Sequence, residues 1–120
     1  MAAGGEPAAS TPEPGDSGQV AQPAAEDSAA HAKEMEELDD LHTKLSVRAQ
    51  TEDTNVENLR RQMAAGGNNL RSDISASQTR MKLYMNKFDA AMNAGNATAA
   101  RKYMGLAERE VENLEKFFGH

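Results

Sequence analysis

The chain has 120 residues, enough for one small domain at most, and its aromatics are three Phe and two Tyr with no Trp, so a thick core built on large rings is excluded. It has no cysteine, which excludes disulfide scaffolds, thiolate zinc sites and cysteine nucleophiles. The net charge is −6, of which Glu6, Glu13, Asp16, Glu26 and Asp27 supply −5 with no Lys or Arg among the first thirty residues, the opposite of the clustered basic charge that nucleic-acid binding needs.

Met1 to Asp27 is Ala, Pro, Gly, Glu, Ser and Gln, with Val20 its only β-branched aliphatic. Such a stretch has too little apolar surface to offset an ordering entropy of roughly 1–2 kcal/mol per residue, and a disordered tail or tether is expected over 1–27. Its prolines give no P-x-x-P spacing, which argues against a ligand for an SH3-like domain. No apolar run approaches the ~18 residues needed to span a membrane, and no basic-then-apolar leader opens the chain. The expectation is a cytoplasmic chain with no membrane contact as written. It becomes periplasmic or membrane-tethered if an anchor lies upstream, because Ala/Pro-rich acidic stretches often follow one.

Asp27 or Ser28 is a plausible N-cap, and an amphipathic helix is expected over 28–65. Met35, Leu38, Leu41, Leu45, Ala49, Val56, Leu59 and Met63 recur mostly at steps of three and four, continuing a heptad. The coiled-coil seam is weak, because His42 and Glu52 fall on seam positions. Residues 66–69, Gly-Gly-Asn-Asn, are a kink or a turn. Two glycines disfavour a helix interior by roughly 1 kcal/mol each. Yet Met63 to Leu70 is one heptad and Leu70 to Ile74 is a step of four, a stutter that a continuous helix tolerates. A kinked continuous helix is the favoured reading.

The second segment, 70–94, carries Leu70, Ile74, Ser77, Met81, Tyr84 or Met85, Phe88, and Ala91 or Met92. At 95–96, Gly95 suits the left-handed residue past a helix end and Asn96 suits the next N-cap. The last helix, 97–118, has a seam of Ala100, Met104, Ala107, Val111, Leu114 and Phe118 in unbroken steps of four and three. So short a link folds the two helices back antiparallel. Counting from Gly95 sets Phe88 against Tyr103, Met81 against Val111, Ser77 against Leu114 and Ile74 against Phe118. Arg80 and Lys82 then fall opposite Glu108, Glu110 and Glu112. The fold class is all-α: a long helix, kinked or not, followed by an antiparallel C-terminal hairpin. A hairpin of this size seldom buries enough surface to be firmly stable alone; it needs cover from Met35–Met63 folding back or from another chain.

Gly95, Ala100 and Ala107, with Met104 in the large apolar slot between the last two, resemble the turn and second helix of a tetratricopeptide repeat, over residues 84–107. Tyr84 falls on an aromatic position of that pattern, while Phe88 stands where the family has a small residue and Ala91 where it has an aromatic. The resemblance implies a helical hairpin and, as an alternative function, peptide binding. No second copy exists, so a repeat array is excluded. The Lys-Tyr-Met, Ala-Glu-Arg and Leu-Glu-Lys-Phe ending also resembles bacterial helical proteins of unknown function.

Candidate sites are few. Asp39-x-x-His42 has the spacing of half a carboxylate–histidine metal site, but a bundle metal centre needs two such motifs. Read structurally, it is a solvated acidic face beside one polar seam residue. Ser72-Asp73-x-Ser75 has no histidine nearby to act as base, and Gly66-Gly67 lacks the Lys-Ser/Thr of a phosphate loop. Asn96-Ala97-Thr98 matches a glycosylation acceptor, though capping is the preferred role for Asn96. Met81, Met85, Met92 and Met104 suit a hairpin core better than an adaptable groove. Arg60, Arg61, Arg71, Arg80, Lys82 and Lys87 form a basic stripe best read as pairing with acidic neighbouring helices. No catalytic, cofactor or metal residue is assigned, and no cofactor is expected.

The expectation is a non-enzymatic helical interaction or structural module that self-associates as a homo-oligomer or docks on a partner helix. A Met-rich-groove or tetratricopeptide-like peptide binder is the alternative. The seam residues expected to carry the packing are Leu38, Leu45, Val56, Leu59 and Met63, then Leu70, Ile74, Met81 and Phe88, then Met104, Val111, Leu114 and Phe118.

Overall fold

The computed structural model describes residues 21–119, with side chains from Ser28 onward. Three α-helices follow in order: α1, Ala21–Ala65; α2, Ser72–Asn93; and α3, Ala97–Phe118. The fold is all-α, a long helix followed by an antiparallel hairpin, with no strand among the described residues. Two units are distinguished, one ending at Glu34 and the other running from Met35 onward. In the first, Ser28 to Lys33 are exposed. The hairpin and the part of α1 from Met35 belong to the second.

α1 is described from Ala21, about two turns ahead of the expected cap at Asp27 or Ser28. Of the tail expected over 1–27, residues 1–20 lie outside the described residues, and Ala21 to Asp27 belong to α1.

The favoured continuous helix through Gly66-Gly67 is overturned. α1 ends at Ala65, and Gly67 takes a left-handed conformation, φ 77°. Its N–H bonds the Ala64 carbonyl at 3.0 Å while the Asn68 N–H bonds the Met63 carbonyl at 2.7 Å. This paired closure satisfies the orphan carbonyls of a helix end, so the turn replaces the intrahelical bonds it gives up.

The same device joins α2 to α3 through residues 94–96, a link slightly longer than counting suggested. Gly95 has φ 68°, and the Asn96 N–H bonds the Ala91 carbonyl at 2.9 Å. The Asn96 side chain then caps α3 by accepting from the Ala99 N–H at 3.1 Å. One residue thus closes one helix and opens the next. α2 and α3 run with their Cα traces within 8 Å of each other, which no other helix pair among the described residues does along its length. Small residues at the contact allow this: Ser77, Ala91, Ala100 and Ala107 are all buried.

From Met35 onward, α1 folds back over the hairpin. His42 meets Phe88 and Asp89, while Asp53 and Arg60 meet Gln78, so α1 is antiparallel to α2. α3 is also antiparallel to α2, so α1 runs parallel to α3, where Arg48 meets Glu108 and Glu115. The core lies between the three helices. Leu38, Val56, Phe88, Val111 and Leu114 are fully buried within it, each contributing roughly 1.5–3 kcal/mol by removal from water.

Candidate interaction surface

The hairpin presents α1 with an apolar strip that includes Ile74, Met81 and Phe88, backed by Val111 and Leu114, and all five are buried. α1 supplies Leu38, Leu45, Ala49 and Val56, also buried. Leu70, Met104 and Phe118 are half-buried against this core, as is Met35. Leu59 and Met63 are half-buried on the last turns of α1. Leu41 does not join the seam: at 42% exposure it lies on the surface, and His42 takes the inward position. The His42 ring stands edge-on to Phe88, 4.6 Å between centroids at 77°, and its Nε2 contacts the Asp89 carboxylate. The polar seam residue is therefore accommodated by an aromatic edge and a carboxylate.

Polar side chains strap α1 down. The Gln78 amide, 4% exposed, donates to Asp53 Oδ1 at 2.9 Å and Glu57 Oε2 at 2.6 Å and accepts from Arg60 Nη2 at 2.6 Å. The bond from Gln78, with Arg60 beside it, holds the Glu57 carboxyl below its usual pKa. On the α3 side, Arg48 forks onto Glu115, Nε to Oε2 at 2.9 Å and Nη2 to Oε1 at 2.7 Å, with Nη1 reaching Glu108 at 3.4 Å. The bond to Glu115 raises the Arg48 pKa further above its ordinary range against the opposing effect of burial. Bidentate guanidinium–carboxylate pairs fix orientation as well as adding energy.

Within the hairpin, Glu110 is buried and accepts from Ser77 Oγ at 2.8 Å and Arg80 Nε at 3.0 Å. Of the pairings expected from the hairpin register, Arg80 with Glu110 is present. Lys82 instead reaches Asp53 of α1 at 3.3 Å, and Glu108 turns to Arg48. Counting within a hairpin could not include the third helix. Arg71, expected in the same basic stripe, pairs with Asp73 and lies over the Phe117 ring, 5.2 Å from its centroid. Glu52, on the α1 seam, is also buried, with the Asn55 amide 3.5 Å from its Oε1.

Sequence reasoning missed Gln78 and Arg48. A signal for Gln78 was present: Ile74, Gln78, Met81, Met85, Phe88 and Met92 form a second stripe on α2, one position beside the stripe that faces α3. A helix with two overlapping stripes has two neighbours. Met81 is buried, and Met85, Met92 and Met104 pack against the core from half-buried positions. Among the described residues, no group of three or more His, Cys, Asp or Glu could hold a metal ion, and no helix is long and apolar enough to cross a membrane. The geometry joins helices through apolar faces and directional polar straps. No protein-family model matches the chain, nor does any curated protein or solved structure.

Proposed function

We propose that the protein is a non-enzymatic helical module that works by packing helices, either with another copy of itself or with a partner helix. The supporting observation is the contrast between its two kinds of helix contact. α2 and α3 meet closely through small buried residues. α1 covers the hairpin from further off, through Leu38, Leu45 and Val56 and the straps of Arg48 and Gln78. The hairpin face is thus a receptor for one amphipathic helix of matching charge pattern. The buried polar groups fit this role, because Ser77, Gln78 and Glu110 all bond across helices.

Self-association links folding to mass action, so melting followed by circular dichroism should shift to higher temperature as protein concentration is raised over about a hundredfold range. An identical melting temperature throughout that range would argue against self-association.

A further inference from the structure

The link between α1 and α2 has features that a simple connector does not need. We propose that α1 exchanges between two copies of the chain: residues 66–71 straighten, α1 and α2 join into one long helix, and each α1 packs on the hairpin of the other copy. This rests on the interaction reading and names its partner as a second copy of this chain.

Four observations carry the inference. The apolar phase runs through the link, since Met63 to Leu70 is one heptad and Leu70 to Ile74 a step of four, so a straightened helix keeps both seams on one side with a single stutter. No proline follows Pro23 to prevent it. The turn is held locally, by Gly67 to Ala64 and Asn68 to Met63, and Ala64 to Asn69 are exposed, so opening it moves only the half-buried Leu70 among the residues packed on the core. Finally, α1 lies antiparallel to α2. Two straightened chains side by side and antiparallel place each α1 on the partner's α2, re-forming the contacts of Arg48, Gln78 and His42 between copies. Ala64-Ala65-Gly66-Gly67 would cross its own symmetry mate there, and small residues permit that approach.

The closed turn competes. Gly67 at φ 77° favours it, and two glycines weaken the straight helix. The closed single chain therefore prevails at low concentration and the exchanged pair at high concentration, as expected for a domain swap.

The test uses the full chain. Gly66→Ala with Gly67→Ala strains the left-handed turn and strengthens the helix, and should lower the dimer dissociation constant by about tenfold or more. Asn69→Pro blocks straightening and should leave a folded single chain at every concentration. Because the native chain has no cysteine, an Asp53→Cys copy can be mixed with an Lys82→Cys copy and treated with a short bis-maleimide. These positions touch only through α1 on α2, so a cross-copy product is expected, and it does not depend on the link variants folding. Absence of that product overturns the exchange. So does a dimer fraction equal in parent, double-alanine and proline variants, which would leave the interaction reading standing on a different surface. A single-chain mass for the parent and the double-alanine variant overturns the exchange and self-association together.

Discussion

Glu110 occupies a face of α3 that it shares with Val111 and Leu114, and it remains a carboxylate there because Ser77, Arg80 and Asn113 all donate to it. Burial alone would raise its pKa. The Arg80 and Ser77 bonds outweigh burial and hold it below the usual carboxylate value. A folded pKa below the unfolded one, about 4.3 for Glu, gives stability that is full above that value and is lost as pH falls through the folded one. Glu110→Gln should therefore lower the urea midpoint at neutral pH and make it less sensitive to acid below about pH 5. An acid loss as large as the parent's would show that this carboxylate is not responsible. One turn on, Leu114 is 0% exposed. Leu114→Asp places an unpaired charge in the core and should cost more than about 3 kcal/mol, a large share of the roughly 5–15 kcal/mol that holds a domain. Val47, 63% exposed, tolerates the same change within about 0.5 kcal/mol. Urea unfolding of both variants compares a buried seam with an exposed face directly.

At the scale of the helices, the hairpin was legible because every level of its sequence agrees. The α3 seam is unbroken, Gly95 can take positive φ, and Asn96 can cap. Removing that cap by Asn96→Ala should cost about 1 kcal/mol, read as a fall in the urea midpoint. The first helix was only partly legible. Its seam was weak, with His42 and Glu52 on seam positions, and the straight and folded-back alternatives share one phase through Leu70, so periodicity could not choose between them. The choice is made by the Gly67 turn, whose closure bonds satisfy the carbonyls at the end of α1, and by the apolar strip on α2 and α3 that α1 covers. The partners of Arg48 and Lys82 were illegible for the same reason, being set by where α1 lies. The helix ahead of Asp27 was missed because Asp27 and Ser28 can cap a helix but are also tolerated inside one. If α1 is the cover that the hairpin needs, residues 66–120 alone should lose most of their helical circular dichroism signal and regain it when a peptide of residues 35–65 is added. A fragment that keeps full helicity alone would mean that α2 and α3 are sufficient.

For the whole molecule, the proposed exchange sets one chain that covers its own hairpin against two chains that cover each other's. The same buried residues and the same straps serve both, so the core contacts nearly cancel. The difference rests on the 66–71 link and on concentration. The proposed function rests on what the long helix lies against. The most direct test is light scattering on the full chain across a wide concentration range. The account predicts a mass that rises from the 12.9 kDa of one chain toward that of a pair, with the rise enhanced in the Gly66→Ala/Gly67→Ala variant. A mass fixed at one chain in both proteins, at every concentration, would contradict it.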